Sequence, residues 1–190
     1  SRVIFNGNGY SDDWVVEAEK RGLPNIKTTV DAIAAIKAEK NKALMENHQV
    51  LSRTEMDARA EIQYEIYIKT INIEALTMIE MSKRQLLPAI ISYRSQLASG
   101  ISAIQSVEQD ASVEKSLFAA ISAGLMSFSQ HLLALEKALE QAAAMHSDDT
   151  EDQAKAYRDH VFTAMNTLRE DADSLEMMID RKYWPLPSYS

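Results

Sequence analysis

Cysteine is missing from this chain of 190 residues, and glycine and proline are scarce, at 5 and 4. Without cysteine there are no disulfides, no thiolate metal ligands and no cysteine nucleophile. A reducing compartment is compatible with that. So few breakers over this length imply few turns and long helices, whereas an all-β fold would need many more turn residues. Basic residues are outnumbered as well. The formal net charge of −8 disfavours sequence-independent nucleic-acid binding, which needs a basic face, and docking on an anionic membrane. No apolar run approaches the roughly 20 residues of a membrane span, and no signal peptide opens the chain. The expectation is a cytoplasmic protein with neither nucleic acid nor membrane as a partner. What is present is ordinary for a folded domain: 46% of the residues are hydrophobic, which argues against disorder.

The N-terminal run Arg2-Val-Ile-Phe5 is strand-like, and Asn6-Gly-Asn-Gly9 after it is a turn signal, because Asn and Gly tolerate positive φ. Ser11 reads as an N-cap, with Asp12 and Asp13 complementing the helix dipole, and this helix should stop at Gly22, before Pro24. A lone strand with one short helix cannot close a sheet, so the N-terminus is expected to be a piece of something that continues upstream. Thr28 or Thr29 caps a second short helix, Val30 to about Asn47, with Ile33, Ile36 and Leu44 buried. Residues 48–51 read as a loop, and Ser52-Arg-Thr-Glu55 fits a capping box.

From there no stop is convincing until about Ser99-Gly100. A helix of about 45 residues would be about 70 Å long, against about 35–40 Å for a compact globule of this size. Pro88 lies inside it and crowds the carbonyl of Arg84, which predicts a kink rather than an end. After a looser stretch, Leu117, Ile121, Leu125, Phe128, Leu132, Leu135, Leu139 and Ala142 step by three or four, as do Tyr157, Val161, Met165, Leu168, Ala172, Leu175 and Ile179. Residues 146–150 form the polar turn between these stripes. The predicted fold is all-α: an elongated up-down-up antiparallel helical bundle with three long helices. A strand-like segment and two shorter helices precede it. Residues 1–50 read as a connecting segment and 51–190 as the bundle, together one structural unit.

Chemistry is hard to place on this pattern. A di-iron bundle needs Glu-x-x-His pairs. The chain has none, and His48, His131, His146 and His160 form no i, i+4 pair, so they are expected to be solvated or locally hydrogen-bonded. Gly7-Asn-Gly9 lacks the third glycine of a dinucleotide fingerprint and the Lys of a P-loop. Asp148, Asp149, Glu151 and Asp152 lack calcium-loop spacing. Tyr64, Tyr67 and Tyr157, if buried, need partners for their hydroxyls. Thr70, Asn72, Thr77 and Arg84 could supply them, or could face a neighbouring domain. Tyr183-Trp-Pro-Leu-Pro187 cannot continue a helix and is expected to dock back onto the bundle. No catalytic, cofactor-binding or metal residue is therefore assigned, and by residues alone the chain is a helical structural or interaction domain.

Five segments carry a resemblance. They are RVIFNGNGYSD from Arg2, EAEKRGLPNI from Glu17, TINIEALTMIEMSKRQLLPA from Thr70, YRDHVFTAMNTLREDADSLE from Tyr157 and YWPLPS from Tyr183. In this order they resemble the C-terminal region of type III glutamine synthetases, the large bacterial form. The stretch from Gly100 to Met145 is similar only in helical character. That family usually runs a few residues past its Tyr-Trp-Pro end, so Ser190 is expected to be a truncation. The resemblance implies a parent enzyme, a glutamate–ammonia ligase that makes glutamine with ATP and Mg. Its catalytic barrel lies upstream, and its C-terminal region serves assembly, structure or regulation in a homo-oligomer. It implies no cofactor in this fragment and, as partners, its own catalytic domain and other subunits. No catalytic position of the family maps here. The alternative reading is an independent helical-bundle interaction module.

Overall fold

The structure, a computed structural model, describes residues 3–145 and 149–187. These are helical or lie in turns and irregular connections, and no strand occurs among them. Val3–Phe5, expected to be strand-like, has no neighbouring strand to exchange backbone hydrogen bonds with, and a ladder is what makes an extended run a strand. His146 and Asp148 fall outside the described residues.

Two compact units are present, residues 1–64 and 65–190. In the first, α1 (Asp12–Lys20) follows Ser11 and carries Asp12 and Asp13 in its first turn. Its C-terminal turn closes with Gly22 at φ 66°, Leu23 N–H donating to the Ala18 carbonyl. Thr28 caps α2 (Thr29–Lys37), accepting from the Asp31 amide.

One helix was expected to run on to about Asn47, so that two short helices precede the bundle. Three do, because the chain breaks at Ala38 (ψ 140°) and restarts as α3 (Glu39–Asn47). The break is satisfied locally. Ala38 O accepts from the Asn41 and Lys42 amides, and the Asn41 side-chain amide donates to Ala35 O at 2.7 Å. The break also changes which side chains are covered. Val30 and Ile33 are buried, while Ile36 and Leu44, expected inside, are exposed.

α4 (Arg53–Met81) begins with the expected capping box. Ser52 N–H donates to Glu55 Oε2 at 2.8 Å, and Glu55 N–H donates to Ser52 Oγ at 3.2 Å. Arg53 pairs with Glu39 and Glu46, and Lys42 with Asp57, which ties α3 to the start of α4. Met56, Ala60 and Tyr64 are its buried residues in this unit. The Ser52 amide and hydroxyl hold the Glu55 carboxyl below its usual range. A depressed carboxyl stabilises above its unfolded pKa and loses that contribution as pH falls through the folded value. Acidification below about pH 4.5 is therefore expected to lower amide protection at the start of α4, measured relative to the unstructured rate at each pH, and Glu55→Gln should flatten that dependence. Protection factors at residues 53–56 between pH 3 and 7 check it.

In the second unit α4 leads without a stop into a π-helical turn, Ser82–Leu86, and then α5 (Leu87–Ser106). The proline expectation takes this form: Leu87 N–H donates five residues back to Ser82 O. The wider turn absorbs the bond that Pro88 cannot make. The helix passes the expected stop at Gly100, which sits inside α5, and ends at Ser106, with Glu108 at φ 57° in the turn that follows.

α6 (Ser112–Ala144) buries Ile121, Leu125, Phe128, Leu132, Leu135, Leu139 and Ala142, as the periodicity predicts. This helix is long and apolar enough to cross a membrane by length and composition, which the absence of an unbroken apolar run did not anticipate. Those seven residues nevertheless pack in the hydrophobic core. α7 (Thr150–Ala156), capped by Asp149, runs through a second π-helical turn, Tyr157–Phe162, into α8 (Thr163–Glu176). Tyr157, Val161, Met165, Leu168, Leu175 and Ile179 are buried and Ala172 is half-buried. α6 packs on both α5 and α8. At the α6–α8 contact a Cβ on Gly124 would lie 2.8 Å from Leu175 Cδ2, so only glycine permits that approach without displacing Leu175.

Candidate functional site

The two π-helical turns fall in two of the segments that carry the resemblance, Thr70–Ala89 and Tyr157–Glu176. Such single-turn bulges recur at functional sites. A hydrogen bond joins these same segments: the Tyr157 hydroxyl donates to Asn72 Oδ1 at 3.1 Å across 85 residues of sequence. Tyr157 is buried, and burial pushes its phenol above the usual range; burial does the same to Tyr67. In this bond the protonated phenol is the donor.

The other polar residues singled out in this helix do not join them. Thr77 back-bonds to Ile73 O on the exposed side, Arg84 pairs with Glu80, and Thr70 is exposed. Tyr64 is fully buried in the first unit, with the Lys37 ammonium 5.7 Å from its ring centroid. Asn72→Leu would leave the Tyr157 hydroxyl buried without its acceptor and is expected to cost about 1 kcal/mol. Tyr157→Phe in the same background should restore most of it, as read by urea unfolding.

A second polar group escaped the sequence reading. His131 was expected to be solvated or bonded locally. Instead its Nδ1 lies 2.5 Å from Asp171 Oδ2 on α8, and Ser127 Oγ donates to both Asp171 oxygens at 3.0 and 3.1 Å. Ser, His and Asp together suggest nucleophilic catalysis, but the geometry is wrong for it. A working triad has the histidine face the carboxylate with one ring nitrogen and the serine with the other. Here Ser127 and Asp171 approach the same nitrogen, with Ser127 3.5 Å from Nδ1. The serine proton is committed to the carboxylate, which leaves a crosslink between α6 and α8. The spacing of Ser127 and His131, four apart on one helix face, was the signal available in the sequence; Asp171 was not.

His48 and His160 are exposed. Among the described residues no group of three His, Asp or Glu side chains could hold a metal ion. Asp149 and Glu151 start α7, where Asp149 accepts from the Glu151 amide and Glu151 pairs with Lys155. Asn8 and Gly9 shape the turn before α1, Asn8 Oδ1 accepting from the Tyr10 amide. The C-terminal segment docks as expected: Tyr183, Trp184 and Leu186 pack against the core, with the Tyr183 ring 5.3 Å from that of Tyr93.

The family described as the glutamine synthetase C-terminal domain matches residues 1–105. The type-3 glutamine synthetase of Dictyostelium discoideum is 34% identical over 198 residues, covering 100% of this chain and 26% of that protein. A glutamine synthetase of Butyrivibrio fibrisolvens is 33% identical over 99% of this chain and 27% of its own length. One of Bacteroides fragilis (strain YCH46) is 27% identical over 98% and 26%. The chain thus spans about a quarter of the length of these relatives, their C-terminal portion. With more than half its residues matched, the chain belongs to the glutamine synthetase C-terminal domain family.

Proposed function

We propose that this chain is the non-catalytic assembly, structural or regulatory part of a larger type III glutamine synthetase. The parent would be a cytoplasmic homo-oligomer that joins ammonia to glutamate with ATP and Mg. The observation that carries this is similarity along nearly the whole chain to the C-terminal quarter of proteins named glutamine synthetase. Supporting it, α4 has a second apolar side in the second unit. Ile66, Ile73 and Leu76 are half-exposed or more and suit a surface covered by the parent's catalytic part or by another subunit. Residues 1–50 would serve as the connecting segment and 51–190 as the bundle. Its long helices would alternate up, down and up. In support, partners on α8 and α7 fall back in sequence as α6 advances: Gly124 meets Leu175, Ser127 meets Asp171 and Ala142 meets Gln153.

The test is ATP-dependent glutamine formation. The full-length chain is expected to make glutamine with Mg present, and the 190-residue chain alone to make none. Turnover by the short chain would overturn the reading. An independent interaction module would instead occur naturally without any synthetase sequence attached.

A further inference from the structure

Among the described residues Val30 is the first that is buried; none of residues 3–29 is buried. That segment is nevertheless ordered in detail. The Phe5 and Trp14 rings stack with centroids 4.6 Å apart, and the Arg21 guanidinium lies 5.6 Å from the Trp14 ring. Arg21 also donates to the Ile4 carbonyl and pairs with Glu17. A shallow cavity of about 300 Å³ opens beside this cluster, lined by Trp14, Val15, Ala18, Leu23, Pro24 and Asn25. Ile4, Val15, Val16 and Ile26 of the same segment are exposed. A helix of nine residues is too short to hold itself in water, and an amphipathic one is kept by burying its apolar stripe. α1 has no buried residue to do so.

We propose that the face formed by Trp14, Val15 and Ala18 of α1 with Leu23 just after it is the docking surface for the preceding part of the same polypeptide. The inference rests on the proposed membership of a larger enzyme chain. The length of the relatives selects the occupant. About three-quarters of each relative lies outside the part matched, and the matched part is C-terminal. That remainder would be covalently joined a few residues ahead of the face. Such a tether supplies an effective concentration of order millimolar, far above that of a free second copy.

Hydrogen exchange on the full-length chain and on the 190-residue chain tests this. Amides of residues 12–23 are expected to exchange at least tenfold more slowly in the full-length protein. Val15→Lys in the full-length protein should return them to the rate of the short chain while amides of α4 keep theirs. Equal rates in the two wild-type chains would overturn the proposal with no variant needed. Protection in the short chain that grows with its concentration would overturn it too, in favour of a second copy. Glutamine formation measured on the same full-length sample separates the two readings. Activity with equal exchange rates sinks the docking surface alone; slowed exchange without activity sinks the enzyme assignment alone.

Discussion

Phe128→Ala is expected to lower stability by about 3–5 kcal/mol, the usual cost of emptying an aromatic site in a packed core. Phe128 has no exposure, sits in the middle of α6 and belongs to the core that α6 shares with α5 and α8. A ring in that position loses contacts on all sides when truncated, and two flanking helices held by many other residues can close only part of the hole. The control is Leu133→Ala on the same helix. Leu133 is 63% exposed, so its truncation should change stability by about 0.5 kcal/mol or less. Urea unfolding followed by far-ultraviolet circular dichroism reads both, with the slope against denaturant checked for constancy. Equal costs for the two would mean that α6 does not bury the stripe assigned to it.

The second large effect is expected at Asp171. Asp171→Ala removes the acceptor for the Ser127 hydroxyl and the His131 ring together. Hydrogen bonds to charged groups contribute about 1.5–3 kcal/mol each. The His131 side chain is 38% exposed, and water screens part of that, so the expected loss is about 2 kcal/mol for the group. A Ser127→Ala, Asp171→Ala double-mutant cycle should show coupling, because both residues share one interaction. Additive losses would contradict the crosslink. The same variants bear on chemistry. If Ser127 were a nucleophile, Ser127→Ala in the full-length chain would abolish a reaction; as a crosslink it should shift only the unfolding midpoint.

How far these features could be read from the sequence follows their range along the chain. The buried stripes of α6 and α8 match the periodicity except at Leu117 and Ala172, which are half-buried, since a 3.6-residue repeat places every third or fourth side chain on one face. The Ser52–Glu55 box and the Thr28 cap depend on residues three apart and were equally legible. Expectations that relied on breakers were less secure. Gly100 reads as an end in the sequence, yet it lies within a helix. Two other turns put non-glycine residues, Gln49 and Glu108, at φ 52° and 57°, where glycine would be the usual signal. Pro88 announced a distortion, but its outcome as a π-helical turn depended on which carbonyl the next free amide could reach. The turn at Tyr157–Phe162 had no announcing proline or glycine at all.

Sequence alone therefore determined the helical class, the buried faces of α6 and α8 and the capped starts at Thr28 and Ser52, because each rests on neighbours within about one turn. It also carried enough family-specific strings to place the chain beside glutamine synthetases. Tertiary structure alone decided that Tyr157 meets Asn72, that Asp171 meets Ser127 and His131, and that Gly124 admits Leu175. Those partners lie 85, 44 and 51 positions apart, and their meeting is set by how one helix is rotated and shifted against another. A pattern of period 3.6 specifies which face is apolar but not the axial register of its partner, and that register is what the polar crosslinks and the glycine contact define.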